Sequence, residues 1–258
     1  MSILFSCICN QAKRIHSAIA AVETALKQEG VTRWGLSYSQ SQEVLLSRHP
    51  RAIRGEFDFF SALAGLESEY LLGVAATDTD YSGNANTQPF RYKHWMFALE
   101  STFQNFPVAQ AELEKLLPDF LRQSVKGKTP AELLFHIFLA ELHREGQLQD
   151  HNVTTDAIAT SLRKALTRAQ EVIDRTGIDG QVGNLMVSNS RSLLCVRLAG
   201  PLFLRQLRYL EDEKRPDTEF RSVLTIGAEE NPGEGFEELP QHTILKIGRD
   251  LNTDREAW

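Results

Sequence analysis

Apolar positions along the chain follow two rhythms, and the rhythm changes twice. Ile3 to Ile8 is a nearly unbroken apolar run of strand length, which predicts a short buried strand almost at the first residue. From Gln11 to Gln28, Ile15, Ile19, Val22 and Leu26 recur at helical spacing, with Gly30 as the stop. Trp34 to Tyr38 and Glu43 to Ser47 then read as a hairpin around the polar Ser39-Gln40-Ser41-Gln42 turn. Phe57 to Leu66 predicts a short helix. Tyr70 to Val74 is a strand that runs into the polar loop Asp78 to Gln88, and Arg91 to Leu99 is another strand.

The middle of the chain is helical. Pro107 to Gln123 and Pro130 to Glu145 are the first two helices; in the second, Leu133, Leu134, Ile137, Phe138 and Leu142 make the apolar face. Thr155 to Arg175 is a long amphipathic helix with Ile158, Leu162, Leu166 and Val172 on one side. Beyond Gly177 the strand rhythm returns at Asn184 to Ser188, Ser192 to Leu198, Phe220 to Ile226 and His242 to Ile247. Strands, helices, then strands again predict an α+β layered domain over residues 1–258, rather than alternating βαβ units.

Composition narrows the function. The net charge of −6 argues against a nucleic-acid partner. The apolar start is too short to span a bilayer and lacks a basic leader, so a cytoplasmic protein without membrane contact is expected. The three cysteines suggest neither a disulfide framework nor a zinc site; Cys7 and Cys9, two apart, share one face of a strand as small buried residues. His94 and His136 read as structural histidines, and Asp78 and Asp80 as a solvated turn. Glu229, Glu230, Glu234, Glu237 and Glu238 read as a solvated acidic loop, and the glycines from Gly177 to Gly183 lack the Lys and Ser/Thr of a phosphate loop. No metal and no cofactor are expected.

Three stretches carry a family resemblance. Arg33-Trp34-Gly35-Leu36 is similar to a G-W-G-[IL] strand, Asn86-Thr87-Gln88-Pro89-Phe90 to N-T-H-P-F, and Trp95 to Ser101 to W-x-F-[AV]-H-N-G. In this order they resemble the class II glutamine amidotransferases. Weaker echoes extend the likeness over nearly the whole chain: Thr129-Pro130-Ala131-Glu132 before a helix, Asn184 to Val187 with Leu193 to Arg197, and Val223 to Ile226 with Leu239-Pro240. The resemblance implies the four-layer αββα sandwich of N-terminal-nucleophile hydrolases. It also implies a nucleophile on the first residue left after Met1 is removed, with the free α-amine as base.

The residues that this resemblance would assign to chemistry are not the family's. Ser2 stands where the nucleophilic Cys is usual. Leu99, Glu100 and Ser101 stand at H-N-G, whose Asn and Gly hold the oxyanion; losing one such donor costs about 3 kcal/mol, and a carboxylate there repels the charge. The strand that would bring an Arg to the substrate carboxylate reads Gly73-Val74-Ala75-Ala76-Thr77-Asp78, and Pro130 replaces the Asp that would receive the substrate ammonium. A relic cleft is therefore expected at Ala75, Asp78, Leu99, Glu100, Ser101 and Pro130. The expected protein has lost glutaminase activity and binds a partner enzyme, a second copy of itself, or a small amide or amino-acid-like ligand. The alternative is an active amidohydrolase that uses Ser2 on an amide other than glutamine.

Overall fold

The strand that opens the chain lies in the middle of a sheet. The computed structural model describes residues 3–40, 43–51, 55–77, 81–210 and 219–258. In chain order its first elements are β1 (Ile3–Cys9), α1 (Ile15–Ile19), β2 (Lys27–Gln28), β3 (Arg33–Gln40), β4 (Glu43–His49), β5 (Phe57–Asp58), α2 (Phe59–Ala62) and β6 (Tyr70–Ala76). Next come β7 (Phe90–Tyr92), β8 (Trp95–Phe103), α3 (Phe106–Glu114), α4 (Asp119–Arg122), α5 (Pro130–Arg144) and α6 (Thr155–Thr176). The last are β9 (Gly180–Ser188), β10 (Leu193–Arg197), β11 (Leu202–Leu210), β12 (Glu219–Gly227), β13 (Glu237–Glu238), β14 (Thr243–Ile247) and β15 (Thr253–Ala257). Among the described residues, seven strands form a sheet in the order β13-β11-β12-β1-β6-β3-β4 and six form a second in the order β15-β14-β10-β9-β8-β7. Neighbouring strands pair antiparallel in both. The chain is thus α+β with two antiparallel sheets.

Side-chain alternation distributes the apolar residues over three clusters. From β1, Ile3, Phe5, Cys7 and Cys9 pack with Ile15 and Ile19 of α1 and with Phe59 and Leu63. Leu4 and Ile8, on the opposite face, pack with Met96, Ala98, Met186 and Cys195 of the six-stranded sheet. Burial on both faces explains why β1 is a continuous apolar run, without the alternation of a half-exposed strand. On β8 the same rule sends Trp95, Phe97 and Leu99 toward Phe135 and Phe138 of α5, with Ile158 and Leu162 of α6 in the same cluster. Every residue of α5 from Pro130 to Leu142 is buried, so the helix is covered on all sides and not along one face alone.

Several elements differ from the sequence reading, each for a physical reason. The helix expected over Pro107 to Gln123 is two helices, because Pro118 lacks an N–H and disfavours helical geometry in the residue before it. The strand expected over Arg91 to Leu99 is a hairpin, β7 paired with β8, that turns at Lys93 with φ of 54°. The segment Gln11 to Gln28 is not one helix; α1 is five residues long, and Lys27–Gln28 leaves helical geometry to pair with Phe57–Asp58. Its periodic residues Ile15, Ile19, Val22 and Leu26 are nonetheless all buried in one cluster. Strands β11 and β15 have no counterpart in the sequence reading; β11 is rich in Leu and Arg, which favour helix, and becomes a strand through nine register pairs with β12.

Two glycines are set by aromatic rings. Phe5 pairs in register with Gly73, and a Cβ on Gly73 would overlap the Phe5 ring; Phe103 and Gly180 repeat the arrangement. Gly73→Ala is expected to lower stability by about 1–3 kcal/mol through overpacking, read as a lower urea midpoint at unchanged slope. The double variant Phe5→Leu/Gly73→Ala should lose less than the sum of the single losses, and strict additivity would contradict the ring-over-glycine account.

Candidate ligand cleft

One wall of the cleft is built where the three motif stretches meet. A Cβ on Gly35 of β3 would overlap the backbone carbonyl oxygen of Gln88, so only glycine admits this approach. The Gln88 side chain then reaches β8: its Nε2 donates to the Leu99 carbonyl at 2.8 Å and its Oε1 accepts from the Leu99 N–H at 2.8 Å. The side-chain amide thereby acts as a piece of strand beside Leu99. Arg48 of β4 holds the same segment, donating from Nε to the Pro89 carbonyl at 3.1 Å and from a guanidinium nitrogen to the Asn84 carbonyl at 3.3 Å.

The start of α5 forms a second wall. The Thr129 hydroxyl caps the helix by accepting from the Glu132 N–H at 3.2 Å, and Pro130 follows at a position where its missing N–H costs little. The buried Glu132 carboxylate accepts from the N–H groups of Lys126 at 2.9 Å and Gly127 at 2.6 Å. Asn86 Oδ1 accepts from the Lys128 N–H at 2.8 Å, tying this loop to the second motif stretch. Burial pushes the Glu132 carboxyl up, opposed by those two N–H groups and by the Arg48 and Lys126 charges.

Between these walls lies a cavity of about 1370 Å³, bordered by the starts of β1 and α5, the ends of β6, β8 and β12, and the β10–β11 turn. Glu100 sits in it at an irregularity of the sheet. Leu99 pairs with Leu185 and Ser101 with Val182, so Gly183 and Asn184 together oppose Glu100. A Cβ on Gly183 would lie 3.0 Å from the Glu100 Cβ, which makes the close crossing a glycine position. Asn184 is the organiser of the bulge. Its Oδ1 accepts from the Leu198 N–H at 3.1 Å and the Ala199 N–H at 3.3 Å, and its Nδ2 donates to the Gly200 carbonyl at 3.1 Å. Burial pushes the Glu100 carboxyl up to about 7, and the Asn184 backbone N–H pulls the other way.

Leu99, Glu100, Ser101 and Pro130, which are far apart in sequence, line this one cavity. Ala75 does not. It is buried on the opposite face of β6 with Phe5 and Ile19, because side chains alternate along a strand, and Val74 and Ala76 border the cavity instead. Ser2 and Asp78 lie outside the described residues. Sequence reasoning missed Gln88, Asn184 and the buried Arg33, whose guanidinium donates to the Tyr81 carbonyl at 2.8 Å at the cavity edge. All three lie in stretches that carry the family resemblance, Arg33 and Asn184 each as the first residue of its stretch, and that was the available signal. His94 and His136 stay out of the cavity. Burial pushes both rings down, His94 to about 4, and His136 Nδ1 bonds the Glu132 carbonyl at 2.8 Å.

Glu100 also imposes a pH dependence on stability. Its folded value near 7 exceeds the ordinary carboxylate value, so between about pH 4.5 and 7 the folded state holds more protons than the unfolded chain. The stability it contributes is present below that window and is lost as pH rises through it. Glu100→Gln is therefore expected to be more stable than the parent above pH 7, by at most about 3 kcal/mol, with the difference vanishing near pH 4. Urea midpoints of the two proteins from pH 4 to 8 measure it; parallel profiles would refute it.

No known family model matches the sequence, and no curated protein matches it. Solved structures do share its fold. A glutamine aminotransferase class-II domain protein from Silicibacter pomeroyi superposes with a TM-score of 0.59 at 15% identity, covering 99% of this chain and 98% of that one. A protein described as a predicted glutamine amidotransferase from Pseudomonas aeruginosa gives 0.55 at 17% identity, covering 96% and 93%. The glutamine phosphoribosylpyrophosphate amidotransferase of B. subtilis gives 0.59 at 13% identity over 99% of this chain but 49% of its own. The chain therefore has the fold of class II glutamine amidotransferase-like proteins.

Proposed function

We propose that this chain is a class II glutamine amidotransferase-like protein, a single four-layer αββα unit, that has lost glutaminase activity and works by binding. The layered reading is supported by the three apolar clusters, one between the sheets and one between each sheet and its helices. The observation that carries the functional reading is Glu100. By the motif resemblance it stands where the family's oxyanion donor Asn stands, and it borders the cavity as a carboxylate, half ionised near pH 7. An ionised carboxylate at that place opposes the charge that amide attack develops. Pro130 at the helix start removes the ammonium-binding Asp in the same region. What remains is a cleft suited to a small amide or amino-acid-like ligand, or to a segment of a partner enzyme or second copy.

The open cavity favours a second reading, because side chains do not fill it. In an active Ser2 amidohydrolase, a protonated Glu100 would donate a hydrogen bond to the oxyanion, as a carboxylic acid held neutral by an apolar site can do. Each reading, the second being hydrolysis of an amide other than glutamine, has its own measurement. Purified protein is expected to release no ammonia from glutamine above a Ser2→Ala control. Turnover of glutamine that Ser2→Ala abolishes would overturn the binding reading. Intact-mass measurement bears on the second reading alone: retained Met1 blocks the α-amine of Ser2 and ends it.

A further inference from the structure

The surroundings of Glu100 select a kind of ligand. A methyl group placed on Gly227 would lie 3.3 Å from Glu100 Oε1, 3.6 Å from the Leu4 carbonyl oxygen and 3.9 Å from the Pro201 carbonyl oxygen. Three acceptors, a carboxylate and two carbonyls, therefore lie within 4 Å of one point on the cavity wall at Gly227. Carbonyl oxygens have two lone pairs, so sheet pairing leaves capacity for a further donor. A group with three donors and a positive charge matches this arrangement, and that group is a primary ammonium. An oxyanion or a second carboxylate does not. Ile3, Val74, Ala76 and Phe103 also line the cavity and give it apolar surface that suits an alkyl stem.

We propose that this part of the cleft binds a primary aliphatic amine, with its ammonium on Glu100, Leu4 and Pro201 and its stem along the apolar wall. The inference deepens the ligand-binding reading given above and rests on it. Bonding the ammonium to Glu100 stabilises the ionised carboxylate, so amine binding near pH 7 releases a proton. The other titratable groups bordering the cavity are Lys27, Arg33, Tyr81, Asp179, Glu229 and Glu230; the shift of Glu100 comes from burial and the Asn184 N–H and not from them.

The test is an NMR and calorimetric titration of the full-length protein with n-butylamine, with n-butanol as the neutral control of the same shape. Saturable binding at pH 8 is expected, with shifts at Glu100, Gly227 and Leu4, and with butanol at least about 10-fold weaker. Lowering the pH from 8 to 6 takes Glu100 from about nine-tenths to about one-tenth ionised and should weaken butylamine roughly 10-fold. Glu100→Gln should weaken it by about 10-fold or more at pH 8. Gly227→Ala keeps the carboxylate and sets a methyl group against the three acceptors, where it crowds the ammonium, so it should weaken binding by about 10-fold or more even if Glu100→Gln folds poorly. Equal affinity in these variants, or shifts confined to other surfaces, would overturn the proposal. So would the absence of any saturable butylamine binding, because Glu100 is then satisfied within the chain. Ammonia release from glutamine, measured on the same samples, reports separately on the loss of glutaminase activity: turnover would sink that reading and leave the amine result standing.

Discussion

The cleft depends on one steric fact, that β3 has no side chain at Gly35. The Gln88 carbonyl occupies the space a methyl would fill, and this brings the Gln88 side chain within reach of both backbone groups of Leu99. Gly35 belongs to the seven-stranded sheet and Leu99 to the six-stranded one, so the segment around Gln88 bridges them at the cavity edge. Arg48 from β4 braces the same segment, and Arg91 next to it donates to the Val44 carbonyl at 2.5 Å. Leu99 is thereby held, and Glu100, the next residue, is delivered to the cavity.

Two carboxylates near the cleft show how surroundings divide similar groups into different roles. Glu132 is buried among donors: two backbone N–H groups bond it, with the Arg48 and Lys126 charges nearby. It closes a loop and joins the helix start to Asn86, and a bound ligand would gain little from it. Glu100 is half-buried at the cavity wall, with one backbone N–H and no opposing charge among the causes of its shift. A carboxylate so placed gains most from a cation or from a proton. The bulge sets Gly183 and Asn184 together opposite Glu100, while the Asn184 side chain ties the β10–β11 turn.

The sequence was most legible where local physics decides. The two-face burial of β1, the long amphipathic α6 with its end at Gly177, and the shared face of Cys7 and Cys9 all follow from spacing and residue type. The motif stretches were legible as a set because they meet in space: Gly35, Gln88 and Leu99 come from three of them. Leu99, Glu100, Ser101 and Pro130 were singled out by position within a motif, and the fold brings them to one cavity. Ala75 lies one residue from Val74 and Ala76, which border the cavity, and in a strand one residue is a change of face.

By itself the chain's order of residues determined the α+β class, the buried opening strand and the long amphipathic α6. Tertiary structure decided the rest. Pairing with β12 made a strand of the Leu- and Arg-rich β11, and a left-handed Lys93 folded an apparent single strand into a hairpin. It also decided what Glu100 faces, because the Leu4 and Pro201 carbonyls and Gly227 converge from distant parts of the chain. Local sequence encodes which side chains can be buried; only the packed chain determines which acceptors and donors share the low-dielectric space where a charge becomes costly.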